Sequence, residues 1–271
     1  QTWNLGDEQK FITELKKINL NITENLENLN LNNVLDNETI ENLKEKIKKI
    51  KLKKQYKFLI LGTEDYIAYN SSEWFEKLKE FGLVDIKLLC PISVKDRSIL
   101  GFSNTTQSSI LCFFENGKVT YFIPNWEFDN KHQQWNIIYK EYEWTNPPEG
   151  KPRYDDNSDS FRKVLLQIKD LAAKIDCENF ANIFEFAIQS LDGKNEGIDK
   201  EYGLELPQIP SQNLNLFEAA SRADVFGAMG SWNDSPPYMA QDKGLGEEYD
   251  ILSDELLKNI RLAILYSINE W

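Results

Sequence analysis

The sequence predicts an α+β protein with a mixed or mostly antiparallel β-sheet, an N-terminal helical arm and a C-terminal helical layer. Two observations lead to this fold class. Apolar runs flank an Asn-Gly pair at residues 116–117, which indicates a β-hairpin. Apolar residues recur at helical spacing through most of residues 158–271. The chain therefore divides into an N-terminal helical arm (1–55), an α/β to β-meander region (56–150) and a C-terminal helical region packed on the sheet (151–271).

The N-terminal arm is expected to contain two helices. Apolar residues recur at helical spacing in residues 7–18 and again in residues 37–54. Residues 44–54 include seven lysines, which form the basic cluster of the sequence. No arginine or aromatic residue lies among them, so a solvated helix face is favoured over a nucleic-acid surface.

The middle region opens with a predicted strand, helix and strand at residues 56–61, 72–81 and 83–91. These elements have the size of a βαβ unit, which would make the two strands parallel. A single glycine, Gly62, follows the first strand, so no phosphate-binding loop is indicated.

An aromatic β-meander follows this unit. The runs SSILCFF and KVTYFI flank Asn116-Gly117, and Gln134–Trp144 alternates as a third strand. Aromatic residues along these strands, among them Trp126 and Trp144, favour cross-strand packing, and a ligand-contacting surface is the alternative.

The C-terminal region begins after the Pro/Gly-rich connector at residues 145–157. A helix beginning at Ser158 or Asp159 is expected to bury one apolar stripe, made of Phe161, Val164, Leu165, Ile168, Leu171 and Ile175. A second helix, over residues 180–191, should end at Gly193, and a third should cover residues 214–224.

The charge of the chain is concentrated in its C-terminal region. The formal net charge is −13, and residues 151–271 carry 12 Lys+Arg against 22 Asp+Glu. A negative field repels phosphate backbones and attracts cations, so the sequence predicts no nucleic-acid partner and favours a basic protein. The alternative is that the charge serves solubility alone.

Neither a membrane segment nor a targeting segment is predicted. No run approaches the roughly 18 apolar residues that span a bilayer, and Gln1 opens neither a charged nor an apolar leader. The three cysteines, Cys90, Cys112 and Cys177, lack a CxxC spacing. An odd, scattered set argues against disulfides, so a cytoplasmic location is expected.

Histidine chemistry is nearly excluded by composition. The single histidine, His132, lies in a predicted hairpin loop, so neither a Ser-His or Cys-His nucleophile nor a zinc ligand set is indicated. The sequence accordingly predicts no catalytic residue, no metal ligand and no cofactor.

Residues 225–271 combine a glycine-hinged turn, a Trp-Asn-Asp triplet, two prolines and an acidic loop before a terminal helix. Such loops are common places for binding sites. A purely structural turn between two helices is the alternative. The predicted binding residues, including the two aromatic residues of the meander, are Trp232, Asn233, Asp234, Glu247, Glu248, Asp250, Trp126 and Trp144.

Three stretches, FENGKVTYF, WEF…WNIIYKEYEW and GSWND, together resemble bacterial immunity-type families of polymorphic toxin systems. The resemblance covers about residues 110–271 and implies a cytoplasmic, acidic protein that neutralises a cognate toxin. We therefore expect a non-enzymatic, protein-binding module with a basic partner. A metal-dependent hydrolase using the carboxylates around Asp234–Asp250, and a structural or assembly subunit, remain as alternatives.

Overall fold

The computed structural model describes residues 55–60, 66–100, 108–131, 134–194 and 208–271. The predicted N-terminal arm with its lysine-rich helix lies outside these ranges, apart from residue 55, and so does His132.

The α+β fold is confirmed: the described residues form a mixed six-stranded sheet and six α-helices. The strands are β1 (Gln55–Leu59), β2 (Ile67–Ala68), β3 (Leu83–Leu89), β4 (Ser109–Phe114), β5 (Val119–Asp129) and β6 (Gln134–Glu143). The helices are α1 (Ser71–Glu80), α2 (Ser158–Lys174), α3 (Glu178–Leu191), α4 (Ser211–Ala223), α5 (Pro236–Asp242) and α6 (Gly246–Asn269). A short 3₁₀ turn covers Arg97–Ile99.

The strand order is β2-β1-β6-β5-β4-β3. β1 pairs parallel with β6, in a register that places Phe58 opposite Tyr139, while β5 and β6 pair antiparallel. The neighbours of β1 are thus β2 and β6, and β3 lies at the other edge of the sheet. Aromatic packing accounts for the choice of β6, because the Phe58 ring stacks on Tyr139 at 5.0 Å and on Trp74 of α1 at 4.9 Å.

The chain forms two compact units. Among the described residues, one unit contains 85–100, 108–112, 145–194 and 208–271, and the other contains 55–60, 66–84, 113–131 and 134–144. Residues 85–100 and 108–112 of the predicted middle region therefore group with the helices of the C-terminal region. The division follows the core, since Leu88 and Cys90 are buried among the helices.

The β4–β5 hairpin has the turn that the sequence predicts. Gly117 has φ of +80°, and Phe114 N–H donates to Lys118 O at 3.0 Å. A positive φ costs glycine little because it has no Cβ, so the Asn-Gly pair determines where the two strands reverse.

The helical unit is built on the predicted stripe of α2. All six stripe residues from Phe161 to Ile175 are buried, and they pack with apolar residues of α3, α4 and α6. α3 ends as predicted, with Asp192 as its C-cap and Gly193 at φ of +70°. No helix in the described part of the chain has the length and apolarity to cross a membrane.

The C-terminal end of α6 is bound to β3 by one asparagine. Asn269 Oδ1 accepts from Leu88 N–H at 2.7 Å, and Asn269 Nδ2 donates to Leu88 O at 2.9 Å. Lys87 Nζ also donates to Asn269 O. The Asn269 side chain thus forms hydrogen bonds with the N–H and C=O groups of Leu88, as a neighbouring strand would. These bonds attach α6 to the residues of β3 that belong to the same unit.

We expect Asn269→Ala to lower the free energy of unfolding by about 2–4 kcal/mol, because it leaves the buried N–H and C=O of Leu88 without partners. Urea denaturation monitored by circular dichroism measures the change. Lys258→Ala, on the exposed face of the same helix, is the control and should cost less than about 0.5 kcal/mol. Equal losses in the two variants would contradict the attachment.

Candidate functional site

The turn between α4 and α5 is held by its own side chains. Asp234 Oδ2 accepts from Gly230 N–H at 2.7 Å, and Ser231 Oγ donates to Gly227 O at 2.7 Å. Gly230 has φ of +81°, so the turn requires glycine at this position. Met229, beside Gly230, is 77% exposed.

Trp232 is the centre of this turn and is completely buried. Its ring contacts Phe180 and Phe184 of α3 edge to face, at 5.1 and 5.4 Å, and lies 5.3 Å from Tyr249 of α6. The indole N–H donates to Ser253 Oγ at 2.8 Å, and Tyr249 OH donates to Trp232 O at 2.6 Å. Every polar group that the ring brings into the core is therefore satisfied.

The burial of Trp232 favours the structural alternative for this turn over its use as a binding residue. The ring contacts Phe180 and Phe184 of α3 and Tyr249 of α6, and Trp232 belongs to the same buried core cluster as Leu256 and Ile260 of α6. Because the ring has no exposed surface, Trp232 supports the turn and offers no contact to a partner.

Asn233 and Asp234 also stabilise the turn. Asn233 Nδ2 donates to Arg97 O at 2.8 Å, which joins the turn to the segment after β3. Asn233 Oδ1 is buried and has no hydrogen-bond partner among the described residues. Both side chains are partly buried, so the Trp-Asn-Asp triplet is mainly structural.

Asp250 is paired within the unit. The Arg97 guanidinium donates to Asp250 Oδ1 at 2.9 Å and to Asp254 Oδ1 at 2.5 Å, and it lies 5.7 Å from the centre of the Tyr249 ring. About two turns beyond Asp254 on α6, Arg261 binds both oxygens of Asp96, at 2.9 and 2.7 Å. These pairs fasten residues 96–97 to α6 and neutralise part of its acidity.

Glu247 and Glu248 lie in the first turn of α6 and line an open groove between α2 and the start of α6. The groove has a volume of about 580 Å³. The groove is lined by three carboxylates, one cation and three apolar side chains, together with Gln167 and Gly244. The carboxylates are Asp170, Glu247 and Glu248, the cation is Lys174, and the apolar residues are Leu245, Ile251 and Leu252. The predicted acidic loop is thus part of a helix, because Glu residues favour the first turn of a helix, where the N–H groups are unpaired.

The carboxylates of this groove differ in their pairing. Glu248 Oε1 lies 3.5 Å from Lys174 Nζ. Within the part of the chain that the structure describes, Asp170 and Glu247 have no salt-bridge partner. The groove therefore carries net negative charge above an apolar surface, a combination that suits a basic and partly apolar segment.

Trp126 and Trp144 belong to the other unit. Trp126 packs edge to face on Trp135 at 6.2 Å, and Trp144 packs on Tyr121 at 6.2 Å. Both tryptophans are partly buried, and the Trp126 indole N–H is buried without a partner among the described residues. The ring contacts of Trp126 and Trp144 are thus packing contacts between aromatic residues of the meander, as the sequence favoured.

Three of the carboxylates in Asp234–Asp250 have different partners. Asp234 binds a backbone N–H, Asp250 binds Arg97, and Glu248 lies near Lys174. Among the described residues, no three His, Cys, Asp or Glu side chains come together as metal ligands. The described geometry thus gives the hydrolase alternative no specific support.

Sequence reasoning missed Asp170, Lys174 and Arg97. Asp170 and Lys174 are ordinary exposed residues of an amphipathic helix, and only the packing of α2 beside α6 makes them part of a groove. Arg97 precedes its partner Asp250 by 153 residues, so no local pattern connects them.

Comparison with protein families, curated proteins and solved structures finds no match for this chain.

We expect Trp232→Ala to lower the free energy of unfolding by about 3–5 kcal/mol, since it removes a fully buried indole. Trp232→Phe retains a ring but loses the bond to Ser253, and should cost about 1–3 kcal/mol. Chemical denaturation of both variants tests this order. Trp271→Ala is the control, because that tryptophan is 70% exposed, and its cost should be about 1 kcal/mol or less.

Asp224, the C-cap of α4, makes stability depend on pH. Burial raises the pKa of its carboxyl to about 7, against the opposing effects of the Phe226 N–H and the Arg261 charge. The folded protein therefore binds this proton more tightly than the unfolded chain does. The stability that the protonated carboxyl contributes is complete below about pH 4 and is lost as the pH rises through about 7.

Asp224→Asn should remove this dependence and make the protein more stable than the wild type at about pH 8, with a smaller difference at about pH 5. Urea unfolding at the two pH values measures it. Asp242→Asn, at an exposed carboxyl of α5, is the matched control and should follow the wild-type pH profile. A wild-type profile in Asp224→Asn would contradict the assignment.

Proposed function

We propose that this protein is a non-enzymatic binding protein whose partner presents a basic segment, as expected of an immunity-type protein that neutralises a basic toxin. The observation that carries the proposal is the groove between α2 and α6, with its carboxylates and apolar lining. The groove and residues 151–271 as a whole both carry negative charge. The long-range field would therefore attract a basic partner, and the groove carboxylates would bind it on contact.

The groove has features that protein-binding sites share. Ile251, one of its apolar residues, is 55% exposed, so a partner can gain binding energy by covering it. Asp170 and Glu247 can accept hydrogen bonds from arginine or lysine without first breaking a salt bridge within the described residues. A partner with alternating basic and apolar side chains would satisfy both properties.

The position of these groups on a rigid framework supports the same proposal. Tyr249 and Ser253 bind Trp232, while Glu247, Glu248 and Ile251 lie on a different face of the same helix. The groove residues of α6 are therefore held before a partner arrives, which reduces the entropic cost of binding.

The proposal extends to location. Cys90 and Cys177 are free thiols, and all three cysteines, Cys90, Cys112 and Cys177, are buried. Free thiols are stable in a reducing compartment, so we assign the protein to the cytoplasm, where an immunity-type protein would meet an incoming toxin.

A synthetic peptide that alternates arginine and leucine is a suitable probe, because it offers guanidinium groups and apolar side chains together. We expect the double variant Glu247→Gln/Glu248→Gln to bind it about tenfold more weakly than the wild type at low salt. Fluorescence anisotropy of the labelled peptide gives the affinities. Where a toxin gene lies beside its own, the same variant should lose protection against that toxin in cells.

Glu178→Gln/Glu255→Gln is the matched control. It removes the same charge from exposed positions that do not line the groove, and it should retain binding. If the control weakens binding as much as Glu247→Gln/Glu248→Gln does, the attraction comes from general charge and the groove proposal is wrong.

A further inference from the structure

The acidic groove contains one positive charge of the protein itself, the ammonium group of Lys174. Lys174 is the last residue of α2, and its Nζ lies 3.5 Å from Glu248 Oε1. The two side chains are 56% and 41% exposed, and the distance is long for a salt bridge. Solvent screening and side-chain entropy leave such a pair little net stability, so it opens readily.

The backbone carbonyl of Lys174 is held by a hydrogen bond, while more than half of its side chain is exposed to solvent. Lys243 Nζ, in the connection between α5 and α6, donates to Lys174 O at 2.8 Å and to Asp176 Oδ2 at 2.5 Å. The ammonium group of Lys174 therefore stays within reach of Glu248 at a high effective concentration. An incoming lysine has to compete with this group and forms the same kind of contact when it succeeds.

We propose that Lys174 is an internal occupant of the cation position in the groove, and that the partner supplies an arginine that replaces it at Glu248. The inference rests on the proposed function and names the chemistry of the partner. A guanidinium forms two parallel hydrogen bonds to a carboxylate, which an ammonium does not. Arginine therefore gains a geometry that Lys174 lacks, whereas lysine gains none.

The aliphatic part of the arginine side chain has a surface to cover. Leu245, Ile251 and Leu252 line the groove beside Glu248. The methylene groups of arginine pack on such residues while the guanidinium reaches the carboxylate. Lys174 thus lowers the affinity for every incoming cation by a similar factor, and arginine alone gains additional contacts that offset this loss.

Two peptides test this inference: the arginine–leucine peptide, and the same sequence with lysine at every arginine. The wild type should bind the arginine peptide at least about threefold more tightly. Lys174→Met retains the aliphatic stem and removes the competing charge. It should bind both peptides roughly two- to fivefold more tightly than the wild type at low salt, because an exposed pair of this kind is lost.

Lys258→Met is the matched control. Lys258 Nζ lies 4.0 Å from Glu255 Oε1, both side chains are 48% exposed, and neither residue lines the groove. This variant changes the net charge by the same amount and should leave both affinities unchanged. Lys174→Gln is a second variant, and melting temperatures establish that all the proteins are folded.

The inference is overturned if Lys174→Met and Lys174→Gln bind the peptides no more tightly than the wild type does. It is also overturned if Lys258→Met gains as much affinity as Lys174→Met, or if the wild type binds the two peptides equally well. Failure of the proposed function has a different signature. It would appear as no wild-type binding of either peptide, or as binding that does not respond to Glu247→Gln/Glu248→Gln.

Discussion

The burial of one indole ring, that of Trp232, determines how the helical unit is arranged. A ring of this size in a core needs apolar neighbours and a partner for its N–H, and α3 supplies the former while Ser253 supplies the latter. Tyr249, one helical turn before Ser253, binds the carbonyl of the same tryptophan. These two bonds fix the rotation of α6 about its axis. The positions of its acidic side chains, including Glu247 and Glu248, then follow from helical periodicity.

The same rotation gives the acidic residues of α6 two roles. Asp250 and Asp254 face Arg97, which neutralises them and attaches the segment after β3. Glu247 and Glu248 lie on another face, where they meet α2 and line the groove. A charge count along the sequence treats these four carboxylates as equivalent. The packing pairs two of them with Arg97 and places the other two in the groove.

Local patterns in the sequence were enough to predict much of the fold. Asn116-Gly117 fixed the hairpin because its backbone requirement is local, and the stripe from Phe161 to Ile175 predicted the buried face of α2. The start of α6 was predicted as a loop because glycines, prolines and acidic residues were read as turn signals. The structure has Pro236 and Pro237 in the first turn of α5 and Glu247 in the first turn of α6, positions at which these residue types favour a helix. The partner strand of β1 could not be predicted, because it depends on aromatic contacts between residues distant in the chain.

The candidate site was predictable only in part, for a related reason. Glu247 and Glu248 were identified by their acidity, whereas Asp170 and Lys174 became relevant only when α2 was placed beside them. This difference affects how the charge of the protein acts. At physiological salt, fields are screened over about 8 Å, so under the proposed function the net charge of −13 mainly influences how fast a basic partner approaches. Under the same proposal, the charges within the groove distinguish one basic side chain from another once the partner is in contact. The proposed specificity therefore depends on the balance between three carboxylates and one lysine rather than on the overall acidity of the chain.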